Sequence, residues 1–266
     1  MPQLVSVVEP RPSASVILVR DAPDGLETFM VRRHSRSAVA PDAYVFPGGT
    51  VRDDDLTAAT DQADALTKSL SERSDWPVDD SSSAAAYYVC AVRELFEEAG
   101  VLLVRDAAQT LLRVDRSDVT TQERLASLRL ALQAHKLEIG NVLAEHGWRA
   151  AFDLLVPFSH WITPRVLAAR FDTRFFVAAL PEGQSALHDT IETSEGLWLR
   201  PAAVLDGDFH TVYATAQHLR RVAPYRSVAE LLEFARSKPI RMISPEVIEG
   251  GAGLTVLIPP ELTDAW

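Results

Sequence analysis

Arg93-Glu94-Leu95-Phe96-Glu97-Glu98-Ala99-Gly100-Val101 says more about fold and chemistry than any other stretch of the 266 residues. Glu94, Glu97 and Glu98 stand at i, i+3 and i+4, a spacing that stacks three carboxylates on one face of a helix. Like charges so placed destabilise a bare helix by about 0.2–0.5 kcal/mol per pair. A hard divalent cation turns that cost into a site, because Mg2+ and Mn2+ take oxygen ligands, few from protein and the rest from water and phosphate. A Glu-rich face alone is more often merely solvated, so the neighbours decide. Val89, Val92, Phe96 and Ala99 fill the opposite face, and Gly100 suits the left-handed residue that ends a helix.

Upstream, an apolar strand runs into Phe46-Pro47-Gly48-Gly49, a tight glycine turn. Together these segments resemble the signature of the Nudix hydrolases, Gly-x5-Glu-x7-Arg-Glu-U-x-Glu-Glu-x-Gly-U, where U is bulky and apolar. Its second half is matched without a gap by Arg93, Glu94, Leu95, Glu97, Glu98, Gly100 and Val101. Its first half departs. Gly49 precedes Arg93 by 44 positions, against 14 in the compact signature, an insertion of about 30 residues. Asp55 stands where the signature has Glu. The insert, roughly 53–83, holds an acidic start, a helix-like stretch (Ala63 to Arg73) and a polar run, Asp79 to Ser83, whose serines are N-cap candidates for the Glu-bearing helix. Such an insert is expected to displace Asp55 from that helix and leave it little to do.

A long insert at this place resembles the Nudix branch that includes the mammalian peroxisomal coenzyme A diphosphatase. So do Leu155 to Pro164, Arg170 to Phe176 and the turn Trp198-Leu199-Arg200-Pro201. The resemblance implies an α/β fold: a Nudix-type α/β/α sandwich around a mixed sheet, extra helical segments included, as one elaborated domain over residues 1–266. Alternation of strand-like and helix-like stretches agrees. Strands are expected at Ala14–Arg20, Glu27–Arg32, Ala43–Phe46, Val101–Val104, around Trp161, at Phe175–Leu180 and at Val256–Ile258. Helices are expected at Ser83–Glu98, Val119–Leu132, Leu137–Trp148, Thr211–Val222 and Ser227–Ser237. The helical segment within 105–150 could serve as a lid or a homodimer surface.

The resemblance also assigns roles. Glu94, Glu97, Glu98 and the Gly48 carbonyl would hold Mg2+ or Mn2+, and Arg93 would orient the glutamates rather than touch substrate. The base would be Glu94 or a late-loop acid, for which Glu192 and Glu195, in a polar stretch before Trp198, are candidates. Arg32, Arg33 and Phe46 are the substrate-binding candidates. Arg binds phosphate bidentately, and coenzyme A carries a 3′-phosphate beyond its diphosphate. The products would be 3′,5′-ADP and 4′-phosphopantetheine or its acylated form. ADP-ribose, NADH or another nucleoside diphosphate derivative is the alternative substrate. A weakly catalytic nucleotide-metabolite sensor is the alternative from another class.

Composition agrees with a globular enzyme: 47% hydrophobic and 24% charged residues. A net charge of −11 argues against a broad nucleic-acid surface, though not against a small phosphorylated molecule. No apolar run reaches the ~18–20 residues of a membrane span, and residues 1–12 lack the form of a signal peptide. The single cysteine, Cys90, excludes an internal disulfide, fits a reducing, cytoplasmic setting, and reads as a buried small hydrophobe. His160 beside Trp161 reads as a packed histidine, with no partner carboxylate identifiable.

Overall fold

Ser13 to Val19 are buried without interruption, so the strand they form is covered on both faces. That strand is the middle of the molecule in the computed structural model, which describes residues 8–58, 62–74, 81–114, 117–189, 191–250, 253–263 and 266. In chain order come β1 (Arg11–Ala22) and β2 (Gly25–Arg33), joined by a turn in which Gly25 takes a φ of +114°. Then follow β3 (Tyr44–Val45), β4 (Gly48–Thr50), α1 (Asp53–Thr57), α2 (Ala63–Ser71) and α3 (Ser81–Ala99). β5 (Val104–Arg105), α4 (Val119–Gln133), α5 (Ile139–Glu145) and β6 (Arg149–Ala150) make up the helical segment after α3. β7 (Val156–Ile162), β8 (Phe171–Ala179), β9 (Thr193–Leu199), α6 (Pro201–Asp206), α7 (Tyr213–Val222) and α8 (Val228–Ser237) come next. β10 (Met242–Ile243), β11 (Glu246–Gly250) and β12 (Gly253–Leu257) follow, before a 3-10 turn at Pro260–Leu262.

Among the described residues the main sheet has eight strands, in the order β10-β7-β8-β1-β2-β3, with β4 also on β1 and β9 on β2. It is mixed: β1 runs parallel to β8 and β7 to β10, while the other pairs are antiparallel. Alternation along β1 sends Ala14, Val16 and Leu18 into one core and Ile17 and Val19 into the other. The first core is closed by α3, α4 and α5 through Leu95, Leu132 and Ile139. The second is closed by α6, α7 and α8 through Val204, Leu219 and Leu231. The layers are therefore helix, mixed sheet, helix, as expected.

Several boundaries differ from the sequence expectation. α3 begins at Ser81, so all three serines enter its first turn instead of preceding it; Asp79 and Asp80 lie outside the described residues. Val101 to Leu103 form no strand. Their backbone is partnered by a side chain, the Gln184 amide accepting from Leu102 N and donating to Leu102 O, at 2.9 Å each. β9 occupies the stretch read as a polar loop, because its polar residues pair edge-on with β2. The late strand near Val256 belongs to a separate β11–β12 hairpin. Among the described residues no helix is long and apolar enough to cross a membrane.

Candidate active site

Residues 84–99 of α3 are buried on every side, so its acids have no free solvated face. Glu94, Glu97 and Glu98 are 6%, 3% and 3% exposed, and Arg93 is 0% exposed. A buried guanidinium demands partners for all its donors. Arg93 forks onto Asp55, with Nε 2.9 Å from Oδ1 and one terminal nitrogen 2.7 Å from Oδ2. That nitrogen also donates to Thr50 O at 2.9 Å. The other donates to Glu94 Oε1 at 2.6 Å and Glu97 Oε1 at 3.4 Å. Arg52 makes a second fork, onto both Glu97 oxygens at 2.9 Å.

Asp55 therefore contradicts the expectation that the insert displaces it. It is fully buried and its backbone-side partner, Arg52 N, lies 2.8 Å from Oδ2. The physical reason is where the insertion starts. β4 is locked against β1 at Ser13, Ala14 and Ser15, and α1 follows within three residues, so the sheet and not the distance to α3 positions Asp55. The extra chain leaves the site only after α1.

The glycine turn is dictated by contact. A Cβ on Gly49 would lie 2.4 Å from Glu94 Oε1, and one on Gly48 2.4 Å from Ala14 O. Gly48 N–H donates to Glu98 Oε2 at 2.9 Å. In extended backbone a residue's N–H and C=O face the same way, so the Gly48 carbonyl lies on the carboxylate side too. Phe46, by contrast, is buried in the second core, with the His218 ring 6.3 Å away, across the sheet from α3. It is a core residue, which corrects its place among the substrate-binding candidates.

At the far end of α3, Gly100 has a φ of +68°, as its terminating role requires. The Glu97 carbonyl, one of the last of the helix, accepts from Arg129 Nε at 2.8 Å and Gln133 Nε2 at 2.7 Å. These α4 residues and Arg52 were invisible in the sequence, because nothing local marks a side chain that caps a distant helix. α4 is thus packed onto α3.

The candidates that came in pairs are separated by the sheet. Arg32 is paired in register with Glu195, and Arg33 with Thr193, across a bulge. Cross-strand partners share a face, and successive residues do not. Glu195 accepts from Tyr44 Oη on the second-core side, and burial, then this carboxylate, push that phenol up to about 12. Arg32 pairs there with Asp42 at 2.9 Å. Arg33 lies on the α3 side, where its charge lowers the pKa of Glu98 and Glu192. Glu192 is held by Asp189, whose Oδ1 accepts from Ile191 N and Glu192 N, both at 2.6 Å. This turn, Asp189 to Glu192, was readable as a side-chain-to-backbone Asx turn and was missed.

Electrostatics explain what the cluster lacks. Burial pushes the Glu94 carboxyl up, against Arg93; burial pushes Glu97 up, against Arg93 and Arg52. Glu98 is pushed well above the usual range by burial and then by Glu94. Burial and then Glu94 also raise Glu192. Arg33, Arg52, Arg93 and Arg129 stand among Asp55, Glu94, Glu97, Glu98, Asp189 and Glu192, so carboxylates outnumber the guanidinium groups. A divalent cation would favour the ionised form of the carboxylates whose pKa is raised. Oxygen donors of this kind suit Mg2+ or Mn2+. Among the described residues no three acidic, histidine or cysteine side chains already converge as a cage.

Cys90 is fully buried, its thiol 3.6 Å from Gly49 O and pushed well up by burial, as a small core residue should be. His160 is packed as expected. It does have a carboxylate partner, Asp172, at 2.8 Å, twelve positions on and across the β7–β8 pair, which the sequence alone did not suggest.

A family model described as the NUDT19 Nudix domain matches residues 62–211, more than half of the chain. The acyl-coenzyme A diphosphatase NUDT19 of Xenopus laevis is 27% identical over 240 residues, covering 78% of this chain and 62% of that protein. Its namesake from Homo sapiens is 26% identical over 297 residues, covering 94% and 75%. The chain thus spans about three fifths of the length of the Xenopus relative. A crystal structure of a Nudix hydrolase from Alicyclobacillus acidocaldarius superposes with a TM-score of 0.67 at 21% identity, over 86% of this chain and 97% of that one, which establishes the shared fold.

Replacing Asp55 by Asn takes the charge from the carboxylate that receives both arms of the buried Arg93 fork. Loss of one partner of a buried pair costs about 3–5 kcal/mol. Urea unfolding of Asp55→Asn is expected to show a loss near that size. A midpoint unchanged from wild type would return Asp55 to the periphery.

Proposed function

This chain belongs to the Nudix family described as the NUDT19 Nudix domain, and we propose that it hydrolyses the diphosphate of coenzyme A or acyl-CoA in a metal-dependent reaction. The observation that carries the reading is the buried pair Glu94 and Glu98, with Arg33 and the exposed Glu192 beside it and their negative charge incompletely met by the protein. The names of the relatives support coenzyme A as the substrate.

Glu94 and Glu98 each commit one oxygen to the protein, Oε1 to Arg93 and Oε2 to Gly48 N–H. Their other oxygens and the Gly48 carbonyl are the groups that would hold Mg2+ or Mn2+. When bound, such a cation neutralises phosphate oxygens and makes a bound water more acidic. Glu97, forked by Arg52 and touched by Arg93, is the more tightly committed of the three, and its contribution is to fix the others. Arg33 would bind a phosphate. Its Nε donates to Val39 O at 3.0 Å, which fixes the guanidinium while leaving its terminal nitrogens for the ligand. Glu192 is the best-placed base: it is near Glu94 and Arg33, carries a raised pKa, and is held by a preformed turn. Glu195, across the sheet, takes no part in this chemistry. Catalysis would then rest on positioning and charge stabilisation of an in-line attack, giving 3′,5′-ADP and the (acyl-)phosphopantetheine.

Protein stripped with a chelator should not hydrolyse coenzyme A and should recover with Mg2+ or Mn2+; full turnover after stripping would sink the metal mechanism. Glu192→Gln should lower kcat on the order of 10²-fold, the usual worth of a general base, while Glu195→Gln stays near wild type. Equal losses would mean that the two acids are not divided by the sheet in the working enzyme. Arg33→Ala should raise KM for coenzyme A about tenfold or more, since a charge-assisted phosphate contact is worth about 1.5–3 kcal/mol. With 3′-dephospho-CoA the rise should be much smaller. Equal effects on both substrates would assign Arg33 to the shared diphosphate.

A further inference from the structure

Arg32, Tyr44 and Glu195 meet on the face of the sheet turned away from the acid cluster, and the proposed reaction uses none of them. Phe209 stands edge-on to Tyr44, ring centres 5.1 Å apart at 77°. Arg32, Tyr44 and Phe209, with Asp42, Asp208 and His210, line an open cleft of about 360 Å³. Three observations mark it as built for an occupant. Arg32 Nε is buried and has no hydrogen-bond partner among the described residues. Ala40 and Asp42, either side of Pro41, hold φ of 46° and 59°, a conformation an alanine adopts only when its surroundings impose it. The loop so strained carries Asp42 to Arg32 and sets one wall of the cleft.

The lining selects the chemistry. Aromatic rings give a planar ligand a surface. Asp42 and Asp208 are acceptors that suit an exocyclic amine, and they disfavour a second phosphate. The charges around the rim disfavour an acyl chain. At the end of β2 Arg33 N donates to Ala43 O at 2.9 Å, between Asp42 and Tyr44 of the cleft, and His34 N donates to Glu192 O at 3.1 Å, so the cleft adjoins the acid cluster around that strand end. The geometry points to this cleft as the base-recognition subsite, taking the adenine of a nucleoside diphosphate substrate against the outer face of the Phe209–Tyr44 pair and beside the two aspartates. The assignment rests on the diphosphatase reading only for the statement that the occupant is part of the substrate.

The test is calorimetric titration of adenosine 3′,5′-bisphosphate, and of its 6-oxo (inosine) analogue, into the full chain in Mg2+ buffer. Wild type is expected to prefer the adenosine compound. Phe209→Ala should weaken it about tenfold, the worth of one stacked base. Phe209→Trp should restore binding, which a purely structural role for the ring would not predict. Asp208 is exposed, so Asp208→Asn is safe for the fold; it should erase the preference for adenosine over inosine. No binding by wild type overturns the assignment, as does wild-type selectivity in Asp208→Asn. If coenzyme A is turned over and its KM is unchanged in both Phe209→Ala and Asp208→Asn, the cleft assignment fails and the diphosphatase reading stands. If adenine binding maps to the cleft while no diphosphate is cleaved, the reverse holds.

Discussion

The structure of the site depends on one buried cation. Arg93 has no solvent contact, and a guanidinium in that position would cost several kcal/mol if its donors were unmet. Meeting them gathers Thr50 from the glycine turn, Asp55 from α1, and Glu94 and Glu97 from α3. These pieces come from both sides of a long insert, so the ion-pair network closes around Arg93 despite the extra chain. The glycines follow from the same constraint. Glu94 can reach Arg93 only if nothing larger than hydrogen stands at position 49. The helical segment after α3 adds its own support, Arg129 and Gln133 satisfying the carbonyl of Glu97.

Network closure also explains how labour is divided among the three glutamates. Spacing alone makes Glu94, Glu97 and Glu98 equivalent, yet their surroundings do not. Glu97 has Arg52 on both oxygens and Arg93 on one, so its charge is met by the protein. Glu98 has one backbone amide and the weaker pull of Arg33 against burial and the Glu94 carboxylate, so its charge is met far less. Within the cluster the unmet charge is concentrated at Glu98, Glu94 and Glu192, where a ligand with positive charge would be stabilised most.

What the sequence made readable was what is local. The helix with its acids, the glycine that ends it, the glycine turn and the helix cap at Ser227, which accepts from Glu230 N, depend on spacings of a few residues. What it hid depends on chain returning from far away. Asp55 was misjudged because distance along the chain stood in for distance in space, while β4 had already anchored it. Val101 to Leu103 look like a strand because they are apolar, but Gln184, some eighty residues on, takes their hydrogen bonds. Phe46 was judged by its neighbours in the turn, although the face it occupies is set by the sheet.

The paired candidates show the same limit at its smallest scale. Arg32 and Arg33 are adjacent, and Glu192 and Glu195 are three apart, so sequence treats each pair as one patch of charge. A strand divides neighbours between two faces, and a bulge between Arg32 and Arg33 sets which residue of β9 meets which. Arg33 consequently joins the acids and Arg32 joins Tyr44, Asp42 and Glu195. One basic stretch thereby serves two environments: an anionic cluster that calls for cations and phosphate, and a cleft of aromatic rings and aspartates that a phosphate would avoid. A nucleotide is the kind of molecule that presents both chemistries a few bonds apart, and a strand end is the place in a sheet where both faces can be reached by one ligand.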